Sequence, residues 1–280
     1  MRDNGISDAE VDCGHDTFAG LAREALNRLV SERSCQNVSV RREHLDHLMQ
    51  VLAKHRAFDA TQVLDEMGLL RIDPATVACA YVPEAARSLG EQWAADQVSF
   101  VDVTVRVERL HELVRRVDEI LDVASPISGP TALVLVAEAE QHTLGAFVVA
   151  LRLRAAGCGV VVRVAPVAAE LTQLLAANRF DLALVSVGCQ AALESGAALV
   201  RTLRLLSRAE MCIFVGGAIP LPDDGLLRET GADRVLRDVS ALLAEFEECK
   251  QDLTLDRGVR KTLKLRRMSA AKGDGVETSR

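Results

Sequence analysis

Glu140-Gln-His142-Thr143-Leu-Gly145 sets a carboxylate two residues before an imidazole and a glycine three residues after it. An imidazole in a loop can turn one ring nitrogen out to a ligand while the carboxylate accepts a hydrogen bond from the other, which is how metal-ligating histidines are oriented. Gly145 removes a side chain where a bulky ligand would approach the backbone. Two further blocks follow: Ser186-Val-Gly188, with forty residues between it and Gly145, and Gly216-Gly217, with twenty-seven between it and Gly188. Singly, these blocks read as a satisfied loop histidine, a strand end and a turn; their joint spacing favours a site with room for something flat or long. His44 and His47, with Glu43 beside them, share a helix face and could clamp an ion, but no third ligand is evident and a solvated face is the simpler reading.

The elements that must position these blocks follow from periodicity. Beyond Ser125-Pro-Ile-Ser-Gly-Pro130, apolar runs at Ala132–Ala137, Val160–Val164, Leu182–Val187, Cys212–Val215 and Arg234–Leu236 alternate with helical patterns. Continuous Val/Leu/Ile runs are strands covered on both faces, so the repeat predicts an α/β fold: a flavodoxin-like (Rossmann-like), doubly wound, parallel five-stranded sheet. All three blocks then fall at carboxyl ends of strands, where such sheets bind ligands. The preceding part is helical. Leu45, Leu48 and Leu52 form one stripe; Val63, Leu64 and Met67 follow Asp59; Ala75 to Trp93 follows Pro74, with Pro83 expected to kink or split it. The last stripe, Val103, Val107, Leu110, Val114, Val117 and Leu121, begins after Ser99, an N-cap with Asp102 three residues on. The expected organisation is an N-terminal segment (1–38) with one amphipathic helix on Phe18, Leu21, Ala25 and Leu29; an all-α four-helix bundle (39–125); the α/β domain (129–249); and a basic tail (250–280). The tail, with Arg257, Arg260, Lys261, Lys264, Arg266 and Arg267, reads as a solvated extension, with docking on DNA or an acidic partner as the alternative.

Composition narrows the function classes. A net charge of −7 opposes a general nucleic-acid footprint, and 3% aromatic content leaves few platforms for stacking bases. Seven scattered cysteines with no CxxC pair read as reduced thiols. The start lacks a basic, then apolar, leader pattern, and no apolar run reaches the roughly 18 residues of a membrane span, so a cytoplasmic location is expected.

The three blocks resemble the base-off, His-on cobalamin-binding motif, Asp-x-His-x-x-Gly, Ser-x-Leu and Gly-Gly, at both of its gaps. Two positions depart from it: Glu140 stands for Asp and Gly188 for Leu. Leu89-Gly-Glu-Gln-Trp93 resembles the helical cap of methionine synthases and light-sensing B12 repressors, whose Glu-His pair is replaced here by Val103-Thr104. The run Trp93 to Arg109 is similar to the PpaA/AerR family of cobalamin-binding photosynthesis regulators. Together the resemblances span roughly residues 75–240.

What they imply is cobalamin as cofactor, in the aquo or hydroxo form, with His142 as axial cobalt ligand and Glu140 orienting it. Thr143, Gly145, Ser186, Gly188, Gly216 and Gly217 would line the cofactor, and Trp93 and Phe100 would contact the ring. The implied function is regulatory rather than enzymatic: an antirepressor acting on a PpsR/CrtJ-type repressor, with light response inherited from the related sensors. The alternative is a corrinoid methyl carrier for a methyltransferase. A protein-binding α/β domain without cofactor is a third reading.

Overall fold

The computed structural model describes residues 39–54, 58–124, 127–207 and 211–253, so the expected N-terminal helix and the tail beyond residue 253 lie outside the described residues. The chain divides into two units, Met1–Gly129 with Leu151–Cys158, and Pro130–Ala150 with Gly159–Arg280.

Four helical stretches build the first unit. Helix α1 (Arg42–Ala53) buries Leu48, Val51 and Leu52. Helix α2 (Ala60–Leu69) is capped by Asp59, whose carboxylate accepts from the Thr61 and Gln62 amides at 2.8 and 3.3 Å, a contact worth about 1 kcal/mol. A helical turn at Pro74–Thr76 passes through a π-turn, Val77–Tyr81, into α3 (Val82–Ala94). The expected disruption at Pro83 takes this form: Val82 N–H donates five residues back, to the Val77 carbonyl, and Pro83 has no N–H to give. The Cys79 carbonyl, four residues before Pro83, accepts from the Arg152 guanidinium of the Leu151–Cys158 segment.

Helix α4 (Phe100–Ala124) opens on the expected cap: the Asp102 amide donates to Ser99 Oγ at 3.1 Å, and the Ser99 hydroxyl donates to the Asp102 carboxylate at 2.7 Å. Its buried stripe starts later than periodicity suggests. Leu110, Leu113, Val114, Val117 and Leu121 are core, whereas Val103 and Val107 are half-buried and Phe100, Val101 and Val105 are exposed. The early turns therefore carry apolar side chains that are largely exposed among the described residues. Lower down, Arg109 donates to the Leu52 and Lys54 carbonyls at 2.6 and 2.7 Å, satisfying the C-terminal end of α1.

The second unit is the α/β fold. Its strands β1 (Thr131–Val136), β2 (Gly159–Val164), β3 (Leu182–Ser186), β4 (Cys212–Gly216) and β5 (Arg234–Leu236) are all parallel, in the order β2-β1-β3-β4-β5. Helices α5 (Leu144–Ala155), α6 (Ala168–Ala177), α7 (Ala191–Leu206) and α8 (Asp223–Thr230) make the crossovers, and a last helix, α9, covers residues 242–253. The central strands β1, β3 and β4 are almost wholly buried, while edge strand β2 is half-buried up to Arg163 and exposed at Val164. An edge position explains why Arg163 can interrupt an apolar run: it pairs with Glu170 at 2.9 Å. Helix α9 extends past the expected domain end at 249, with Phe246 and Cys249 buried and Asp252 paired with Arg234 of β5. Among the described residues no helix is long and apolar enough to cross a membrane.

Chain direction makes β1 and β3 the junction of the sheet. From β1 the chain crosses to β2 on one side, and from β3 it proceeds to β4 and β5 on the other. In sheets of this order, ligands bind outside the carboxyl ends of the strands at such a junction.

Candidate functional site

Register brings the blocks together. Ser186 lies between Val136 and Gly216 across three adjacent strands, so the residues leaving β1, β3 and β4 emerge side by side. Past β1, the Glu140 amide donates to the Ala137 carbonyl at 3.0 Å in a tight turn that folds the Glu140 side chain inward. That side chain is fully buried, whereas the His142 side chain is 81% exposed.

The buried carboxylate meets three nitrogens. Glu140 Oε1 accepts from the His142 amide at 2.7 Å and lies 3.0 Å from His142 Nδ1; Oε2 accepts from the Gly188 amide. An ionised carboxylate only accepts, so the tautomer that this contact favours in a neutral imidazole has its proton on Nδ1 and its lone pair on Nε2. The exposed ring thus offers Nε2 as a free donor to a metal, in an orientation fixed by a buried group.

The next turn starts α5: the Thr143 carbonyl accepts from the Ala146 and Phe147 amides at 3.0 and 3.3 Å. Gly145 is in the first turn and exposed, and a Cβ built on it would meet no atom within 4 Å. The other glycines are crowded. A Cβ on Gly217, whose φ is +143°, would lie 2.1 Å from the Val187 carbonyl oxygen, and one on Gly216 would lie 3.0 Å from the Leu236 oxygen. These two positions are glycine because the ends of β3 and β5 pass close by. At Gly188 the space a side chain would take is filled by the Glu140 carboxylate, 2.8 Å from the Cβ position.

In the helical unit, Trp93 and Phe100 flank a turn and face each other, ring centroids 6.5 Å apart and tilted by 55°, with 52% and 69% exposure. The Glu140-to-Gly217 blocks belong to the other unit. His44 and His47 have separate partners: His44 Nδ1 is 3.4 Å from the Tyr81 hydroxyl, and His47 Nε2 is 3.4 Å from Glu66. The Gly188 amide is the site group that reading side chains misses; its signal is that the two departures from the motif, at 140 and 188, occur together.

The chain is 38% identical over 186 residues to the "uncharacterized 20.5 kDa protein in bchF-crtJ intergenic region" of Rhodobacter capsulatus, a match covering 66% of this chain and 97% of that protein. It belongs to that protein's family. No protein-family model matches the sequence. Among solved structures, the Methanosarcina barkeri monomethylamine corrinoid protein is similar, with a TM-score of 0.57 at 17% identity over 73% of this chain and 98% of that one. This likeness shows a shared fold. A cobalamin-binding protein from Desulfitobacterium hafniense DCB-2 aligns with a TM-score of 0.38 at 16% identity, over 74% of this chain and 97% of that one.

Proposed function

We propose that this member of the family binds a corrinoid through His142 and acts as a regulatory module, an antirepressor for a PpsR/CrtJ-type repressor. The observation that carries the reading is the presentation of His142: a fully buried carboxylate holds Nδ1, and Nε2 belongs to an exposed ring beyond the carboxyl end of β1, next to β3 in the sheet. One imidazole is the donor number required by a metal whose equatorial positions a macrocycle already fills. The residues fit such a group, since Gly145 presents a side-chain-free stretch of backbone with no neighbour within 4 Å of its Cβ position.

A corrinoid, in the aquo or hydroxo form, would supply light- or redox-responsive cobalt chemistry when held by His142. This chain's residues do the rest. Glu140 keeps the proton on Nδ1 and fixes the ring, and the Gly188 amide fixes Glu140. Trp93 and Phe100 offer exposed aromatic surface for contact with a ring.

Two observations support regulation over methyl transfer. The Rhodobacter capsulatus relative lies in the bchF-crtJ intergenic region, next to crtJ. Thr104, where the resembling cap has the second residue of its polar pair, spends its hydroxyl on the Phe100 carbonyl at 2.9 Å, and its neighbour Val103 is apolar, so neither supplies an acid–base group. By linkage, a partner that prefers the corrinoid-loaded form must tighten corrinoid binding by the same factor.

The experiment is to mix the purified protein with hydroxocobalamin, follow the visible spectrum through gel filtration, and then add repressor and promoter DNA. Retained colour and corrinoid-dependent release of the DNA support the proposal. Methyl transfer from methylcobalamin to a thiol, with no effect on repressor binding, would replace it with the carrier reading, and a colourless protein would remove the cofactor.

A further inference from the structure

We infer that residues 140 and 188 form a single positioning device, in which the longer acidic side chain and the missing side chain each require the other. Glu140 is one methylene longer than the aspartate of the motif it resembles, which carries its carboxylate past His142 as far as the backbone of the next strand end. There Oε2 accepts the Gly188 amide while Oε1 serves the backbone amide and Nδ1 of His142. A side chain at 188 would compete for the carboxylate's present position: a Cβ there would lie 2.8 Å from Oε2 and 3.3 Å from both Cδ and Oε1, so the acid would have to shift.

The consequence is a fixed tautomer. With both oxygens occupied by backbone donors, the carboxylate is pinned across the gap between the β1 and β3 loops, and the imidazole meets an acceptor held in one place. A shorter acid would retract from the Gly188 amide, leaving that N–H without its partner. A side chain at 188 would push the longer acid off its anchor. A short acid combined with a side chain at 188 removes the clash and fills the space that the longer acid vacates, while the residue-188 N–H stays without the carboxylate. Position 188 is thus a positioning residue for His142, and its glycine makes room for Glu140.

The role in ligand binding rests on the corrinoid reading above, but the first test needs no corrinoid. In the ligand-free full chain, ¹⁵N–¹H correlation spectra of the histidine side chains, assigned through His142→Ala, should show Nδ1 protonated and Nε2 bare. Glu140→Asp and Gly188→Ala should each shift His142 toward a mixture of tautomers, and Glu140→Asp/Gly188→Ala should bring it part of the way back. The same four proteins titrated with hydroxocobalamin should show losses of about 10- to 100-fold for each single variant, the scale seen when groups behind a metal ligand are removed, and for the double variant a loss no larger than that of the worse single variant. Should Gly188→Ala fail to fold, Glu140→Gln, equal in length but unable to accept at both oxygens, should also disturb the tautomer.

Single variants that leave tautomer and affinity untouched, or a double variant whose losses are the sum of the two, would overturn the coupling. If the wild-type chain binds no hydroxocobalamin while the tautomer still follows the predicted pattern, the cofactor reading fails and the positioning device stands.

Discussion

Gly217 and Val187 approach so closely that any side chain at 217 would have to displace the backbone of the β3 exit, the Cβ position being 2.1 Å from the Val187 carbonyl oxygen. The neighbouring Val187 amide donates to the Gly216 carbonyl at 2.7 Å, so the contact cannot be relieved without breaking a bond that joins the two strand ends. Gly217→Ala should therefore cost more than about 3 kcal/mol, combining strain at φ +143° with displacement of backbone. Urea unfolding followed by circular dichroism checks this; a loss under about 1 kcal/mol would contradict the geometry.

Gly145 makes the opposite case. Nothing lies within 4 Å of its Cβ position, and it occupies the first turn of α5, so Gly145→Ala should leave the free protein as stable as before or raise it by up to about 1 kcal/mol. Gly145→Leu should fold equally well and yet lose hydroxocobalamin binding at least about tenfold, because the side chain enters the space assigned to the ligand. Thermal melts and a visible titration on the same samples separate the two effects, and a Leu variant that binds normally would place the ligand elsewhere.

Cys158, packed after α5 and 3% exposed, is pushed up to about 11 by burial. The unfolded thiol ionises near its ordinary value of 9.0, so between there and about 11 the unfolded chain releases a proton that the folded chain keeps. Stability should accordingly fall as pH climbs through that window, and Cys158→Ala should flatten the slope. Urea midpoints at pH 8 and pH 10 test the sign; equal slopes in both proteins would contradict it.

Much of the fold was legible because its signals are local. The Val/Leu/Ile runs at Leu133–Val136 and Ile213–Val215 are long enough to be strands only if both faces are covered, and Asp59 and Ser99 mark helix starts by chemistry that acts within four residues. Less legible was anything decided across the chain. The stripe on α4 carries Val103 and Val107 in phase with Leu110, and only tertiary packing determines that burial begins at Leu110. The end of α9 depends on Asp252 meeting Arg234, 18 residues away. At the site, the spacing of Glu140, His142 and Gly145 pointed to an oriented imidazole, but the anchor of Glu140 is a backbone amide 48 residues on, which no side-chain pattern displays.

The central claim is a bond between His142 Nε2 and cobalt, and the most direct measurement is electron paramagnetic resonance of the cob(II)alamin complex prepared with ¹⁵N-histidine-labelled protein. The account predicts that each cobalt line carries the two-fold splitting of a single ¹⁵N ligand, and that His142→Ala abolishes it. A three-fold splitting that persists in the labelled protein would mean that the axial nitrogen comes from the cofactor's own base, and the assignment of His142 would fall.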